Sequence, residues 1–179
     1  MIKLIFSIVL FSLNIYSSQI IYTSEFIDVE RKIVVKDSSI IIDNGIVSSI
    51  EKGFIKVDKD YSVIDLRGYS VMPGLMDMHV HFGQEYKSKA ERPIKIERET
   101  EAILATAHAD ITLKSGFTTV RQVGDSGFVS ISLRDAIADG SVNGPRIFTS
   151  GKSIATTGGH ADPTNGKSID DYDHPTPEQ

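Results

Sequence analysis

Cysteine is absent from the 179 residues of this sequence, and that absence removes several chemistries at once. No disulfide framework, thiolate metal site or cysteine nucleophile is available, so any bound metal ion must rest on histidine and carboxylate. The lipidated cysteine of a bacterial lipoprotein is excluded as well. A long block of one charge sign is also missing. The 24 acidic and 19 basic residues are dispersed, for a formal charge of -5, which leaves no basic face for nucleic acid. Nor is there an apolar run of the roughly 20 residues that a membrane-spanning helix needs. The run from Leu4 to Leu13 is shorter, with Lys3 before it and Asn14, Tyr16, Ser17, Ser18 and Gln19 after it. A charged start, a short apolar stretch and small polar residues form the anatomy of a signal peptide. Residues 1–18 are therefore expected to direct export to a periplasmic or extracellular location, without stable membrane insertion.

What is present suits an ordinary folded domain: 40% of residues are hydrophobic and 24% charged, enough to bury a core. From Ile20 to Tyr69 short β-prone runs alternate with turn residues: Ile33 to Val35, Ser39 to Ile42, Ile46 to Ile50 and Tyr61 to Ile64. Asp43-Asn44-Gly45 separates two of them and is a strong hairpin signal, because both central positions tolerate positive φ. A small antiparallel sheet is expected over residues 19–70.

After Gly68 the rhythm changes. Val71 to Val80 reads as a strand buried on both faces and interrupted by Pro73-Gly74. Pro93 to Ser115 reads as a helix, with Glu97, Glu99 and Glu101 toward its start, Leu104, Ala107 and Ile111 at helical spacing, and Gly116 as its stop. A second strand follows over Phe117 to Val123, a second helix over Val129 to Ala138 ended by Gly140, and a third strand over Pro145 to Gly151. Alternation of this kind predicts an α/β fold with parallel strands, either in an open sheet or in the opening of a barrel. Residues 167–179 are polar and rich in Asp and Pro, and read as a surface loop or disordered tail.

The sharpest chemical feature is Asp77-Met78-His79-Val80-His81 at the end of the first of these strands. Alternation along a strand turns His79 and His81 the same way, so two imidazoles can share one ion at the carboxyl edge of the sheet, where α/β folds place their sites. Asp77 either orients a backbone group or caps the strand. Arg121 ends the second strand and can meet an anionic group or form a structural ion pair. His160, in Thr157-Gly158-Gly159-His160 after the third strand, is a candidate for substrate contact, beside glycines that permit close backbone approach. His108 reads as a helix-surface residue, and His174 has no argued role.

Val71-Met72-Pro73-Gly74-Leu75-Met76-Asp77-Met78-His79-Val80-His81 resembles the P-G-L-I-D-x-H-x-H signature that opens the barrel of the amidohydrolase superfamily. Ser115 to Arg121, Leu133 to Ile137, Gly144 to Arg146 and Thr157 to His160 are similar, in the same order, to its imidazolonepropionase-related branch. That branch includes dipeptidases that release C-terminal proline, arginine or lysine. The likeness covers residues 20 to 166. It implies a small β-sandwich beside a (β/α)8 barrel, with residues 71–166 forming the first three strands of an incomplete barrel, since a whole one takes about 250 residues.

The resemblance further implies one or two Zn2+ ions held by His79 and His81, and metal-activated water attacking the carbon–nitrogen bond of a dipeptide or other small-molecule substrate. Further ligands and the general base are expected beyond residue 179. Where the family often has Arg-Asp at the end of the second strand, this chain has Arg121-Gln122, with Asp125 three residues later. A deaminase of heterocyclic bases, using the same opening H-x-H, and a non-catalytic exported remnant are the alternative readings of these motifs.

Overall fold

The computed structural model describes residues 18–57, 60–83, 98–125 and 127–162. The expected signal peptide, apart from Ser18, and the polar tail lie outside them. The chain divides into two compact units, one ending at Pro73 and one starting at Gly74.

The first unit is a four-stranded sheet in the order β3-β2-β1-β4, built from β1 (Gln19–Asp28), β2 (Ile33–Asp43), β3 (Ile46–Lys52) and β4 (Ser62–Val71). The Asn-Gly hairpin forms as expected: Asp43 pairs with Ile46, and Asn44 and Gly45 between them have φ of 53° and 77°. Three features depart from the sequence reading. β1 was not among the expected runs. The two runs Ile33 to Val35 and Ser39 to Ile42 form one continuous strand. The sheet is mixed rather than antiparallel, because β1 pairs with β4 in parallel. β1 is thus held from both sides over most of its length, and Ile20 and Thr23 are fully buried. Thr23 Oγ1 donates to the Tyr69 carbonyl at 2.8 Å, beside the irregularity in the β1–β4 register between Thr23 and Glu25.

The expected single strand Val71–Val80 is two strands in two sheets: β4 ends at Val71 and β5 spans Leu75–Val80. Proline lacks the N–H a ladder needs. At Gly74 an added Cβ would fall 2.1 Å from Thr118 Oγ1.

The second unit follows the order β5, α1 (Arg98–Lys114), β6 (Phe117–Gln122), α2 (Val129–Ala138), β7 (Arg146–Thr149). Its sheet runs β5-β6-β7 with every pairing parallel. The protein is therefore a mixed α/β chain with a parallel sheet, and the carboxyl ends of β5, β6 and β7 share one edge. Val120, Ile147, Ala105, Ala109, Val129, Leu133 and Phe82 form the core between this sheet and its helices.

α1 buries Glu101, Ala105 and Ala109, not the expected stripe of Leu104, Ala107 and Ile111. Ile111 is exposed. The small alanines permit close approach: a Cβ at Gly144 would sit 3.0 Å from that of Ala109. β5 is also not buried on both faces. Val80 packs toward the helices, whereas Met76 and Met78 are 67% and 58% exposed on the opposite face.

Candidate functional site

The site is built on an irregularity. Asp77 pairs with Val120 and Val80 with Gln122, so three steps along β5 span two along β6, the signature of a β-bulge. Asp77 Oδ1 accepts the His79 N–H at 2.9 Å. Of the two roles left open for Asp77, the structure shows the orienting one. Val80 turns toward the core, and His79 and His81 on either side of it are both exposed. Their ring centroids lie 5.4 Å apart with the planes at 65°. His81 stands one residue beyond the strand, at the carboxyl edge of the sheet.

The orientation of His81 is specified by the neighbouring strand's exit loop. Its Nδ1 lies 2.9 Å from the Gly124 carbonyl oxygen. A carbonyl only accepts, so Nδ1 carries the proton in this bond, and in the neutral ring Nε2 keeps its lone pair. Gln122, 1% exposed, donates from Nε2 to the same Gly124 carbonyl at 3.1 Å and accepts the Phe82 N–H on Oε1 at 3.1 Å. His108 Nδ1 bonds the Phe82 carbonyl. It is therefore a brace for the residue after His81, not only a helix-surface histidine. Among the described residues, no group of three or more His, Cys, Asp or Glu side chains is placed to hold a metal ion. The donor set in place is the histidine pair.

Arg121 is exposed on β6. Strand alternation puts it on the face opposite Val120 and Gln122, the same face as His79 and His81, with Phe148 of β7 as its register partner. No ion pair of Arg121 occurs among the described residues. His160 is exposed in the loop after β7, on the chain leaving the same sheet edge. The glycines before it serve the turn itself: Gly158 has φ of 74° and its N–H donates to Asp162 Oδ2 at 2.7 Å, while a Cβ at Gly159 would fall 2.9 Å from the Thr156 carbonyl.

The sequence reading missed Gln122 and Asp125. Asp125 is buried, and its carboxylate accepts the N–H groups of Gly127 (3.1 Å), Phe128 (2.6 Å) and Ser130 (2.7 Å). It closes the amino end of α2. An acidic residue just ahead of an apolar helical run is the signal that could have found it. No local pattern marks Gln122, whose partners are 40 residues back and two residues ahead.

The family model described as the amidohydrolase family matches residues 70–178, more than half of the sequence. The chain belongs to the amidohydrolase family. Among solved structures, a Xaa-Pro dipeptidase with methionine bound in its active site is 64% identical, with a TM-score of 0.79 over 90% of this chain and 40% of that one. A prolidase complexed with N-methylphosphonate-L-proline is 29% identical, with a TM-score of 0.71 over 89% of this chain and 37% of that one. Among curated proteins, the ochratoxinase of Aspergillus niger is 29% identical over 94 residues, 51% of this chain and 19% of the relative. The sequence thus spans less than half the length of these relatives.

Proposed function

We propose that this chain carries the first two metal ligands of a zinc-dependent dipeptidase that hydrolyses the bond preceding a C-terminal proline. In this reading the second unit is the opening of a (β/α)8 barrel, and the first is part of a small β-sandwich. The observation that carries it is the histidine pair. Two imidazoles bound to one tetrahedral zinc at about 2.0–2.1 Å hold their ring centres about 5 Å apart, and those of His79 and His81 are 5.4 Å apart. The Gly124 carbonyl accepts a hydrogen bond from the Nδ1–H of His81, which leaves Nε2 as the ligating atom. The similarity to a Xaa-Pro dipeptidase and to a prolidase supports proline as the leaving residue.

When bound, one or two zinc ions supply a water of lowered pKa and a polarised carbonyl. The chain's own residues then bind and orient. His79 is set by Asp77 through the bulge, and His81 by Gly124. Arg121, on the histidines' face, supplies a fixed positive charge for an anionic substrate group, and His160 meets the substrate carboxylate from the loop after β7. The remaining ligands and the general base lie outside the described residues in this reading. The amino-terminal 18 residues export the protein to the periplasm or beyond the cell.

The test is hydrolysis of Met-Pro against Met-Leu by the zinc-loaded gene product bearing this sequence. Met-Pro should be cleaved with the higher kcat/KM, and the activity should disappear in His79→Ala/His81→Ala. Equal cleavage of the two dipeptides removes the proline assignment. Activity that survives the double substitution removes the metal site.

A further inference from the structure

His81 depends on a side chain that never reaches the site face. Gln122 projects from β6 into the core side of the sheet, and its amide touches both sides of the His81 turn. Oε1 holds the Phe82 N–H, the backbone group next after His81, at 3.1 Å. Nε2 donates to the Gly124 carbonyl oxygen at 3.1 Å, the atom that also accepts the hydrogen bond from His81 Nδ1–H at 2.9 Å. One planar amide therefore fixes the backbone leaving the histidine and the acceptor for its ring.

The acceptor has little freedom of its own. Gly124 has φ of 153°, and a Cβ there would fall 1.8 Å from Ser153 Oγ and 2.8 Å from Ser153 Cα. The peptide is confined by the β7 exit loop on one side and by the Gln122 amide on the other. Phe82 is confined likewise, with its ring buried in the core and its carbonyl bonded to His108. Glutamine suits this place because it offers a donor and an acceptor on one flat group. A carboxylate of the same length could accept from Phe82 but would set an oxygen against the Gly124 oxygen.

We propose that Gln122 is a positioning residue for the metal site: its buried amide holds Gly124 and Phe82 so that His81 keeps the Nδ1–H tautomer and presents Nε2 to a divalent cation. This rests on His79 and His81 being metal ligands, and partners of this outer kind typically change metal affinity by about 10–100-fold.

The experiment uses the metal-free chain, isotopically labelled, and zinc as the probe. Long-range 1H–15N correlation spectra report the tautomer of His81, and competition with a chromogenic chelator reports zinc affinity. The wild-type protein should show His81 as the Nδ1–H tautomer; an Nε2–H tautomer overturns the proposal whatever the variants do. Gln122→Glu should give a mixed tautomer population and bind zinc about 10–100-fold more weakly. Gln122→Met, close in volume and without either hydrogen bond, provides the same comparison if a buried carboxylate prevents folding. A lowered unfolding midpoint with tautomer and affinity unmoved shows a merely structural glutamine and overturns the proposal. His79→Ala/His81→Ala separates the two levels. If zinc affinity survives that double substitution, the metal reading itself fails; if it is lost there but intact in the Gln122 variants, only the role of Gln122 fails.

Discussion

Asp65 and Asp125 show how differently two aspartates can be used within one chain. Asp65 is bonded by Arg67, whose Nε donates to both carboxylate oxygens at 2.9 and 3.0 Å and whose backbone N–H donates to Oδ1 at 3.0 Å. The guanidinium bonds, followed by the backbone bond, lower its pKa from the usual carboxylate range to about 2. The folded value lies below the unfolded one, so the stabilisation is present above pH about 4 and is lost as pH falls through about 2. Because the pair is exposed, its share of total stability is small. A carboxyl-detected NMR titration should place the Asp65 midpoint near 2, and Arg67→Gln should return it toward about 3.9; a midpoint unmoved by that substitution would remove the guanidinium as the cause. At this scale the sequence displayed the histidine pair, since alternation in a strand is a local property. It was silent on Gln122, whose importance lies in groups that only folding brings to it.

At the scale of elements, α2 depends on a residue outside its own span. Phe128 before the helix is left-handed, with φ of 61°, and makes no side-chain cap. Asp125 supplies the acceptors instead, for three backbone N–H groups. Asp125→Ala strands those donors in a buried place and should cost about 2 kcal/mol in urea unfolding. Asp125→Asn retains Oδ1 for Gly127 and Phe128 and should cost less. Equal stability of Asp125→Ala and wild type would show that solvent satisfies the helix end. The span of α2 was legible because apolar periodicity and a terminal glycine are both local signals, and the hairpin at Asn44-Gly45 was legible for the same reason. The buried face of α1 was not. Periodicity favoured Leu104, Ala107 and Ile111, yet close packing against the sheet selected Ala105 and Ala109, and a preference for small residues at a contact cannot be read without the contact.

For the molecule as a whole, the parallel sheet is clothed by helices on one face and open among the described residues on the other. Met76, Met78 and Phe148 are exposed there by 67%, 58% and 59%, in line with Arg121 and the histidines. Exposed apolar side chains gathered on one face offer a surface to apolar probes. The purified chain should enhance the fluorescence of an apolar dye such as ANS. Met76→Lys/Phe148→Lys should reduce that signal without changing helix content by circular dichroism, and an undiminished signal would place the dye elsewhere. Among the described residues no helix is long and apolar enough to cross a membrane. The sequence alone determined the order of the β-α-β-α-β elements, the family motifs and the two imidazoles flanking Val80, because each is encoded by spacing within a few residues. Only the tertiary structure decided that the run through Pro73 splits between two sheets, that the first sheet is mixed, and that the His81 ring is bonded by the loop after β6. Those outcomes depend on contacts between segments tens of residues apart, where the free energy of pairing and packing, rather than local preference, makes the choice.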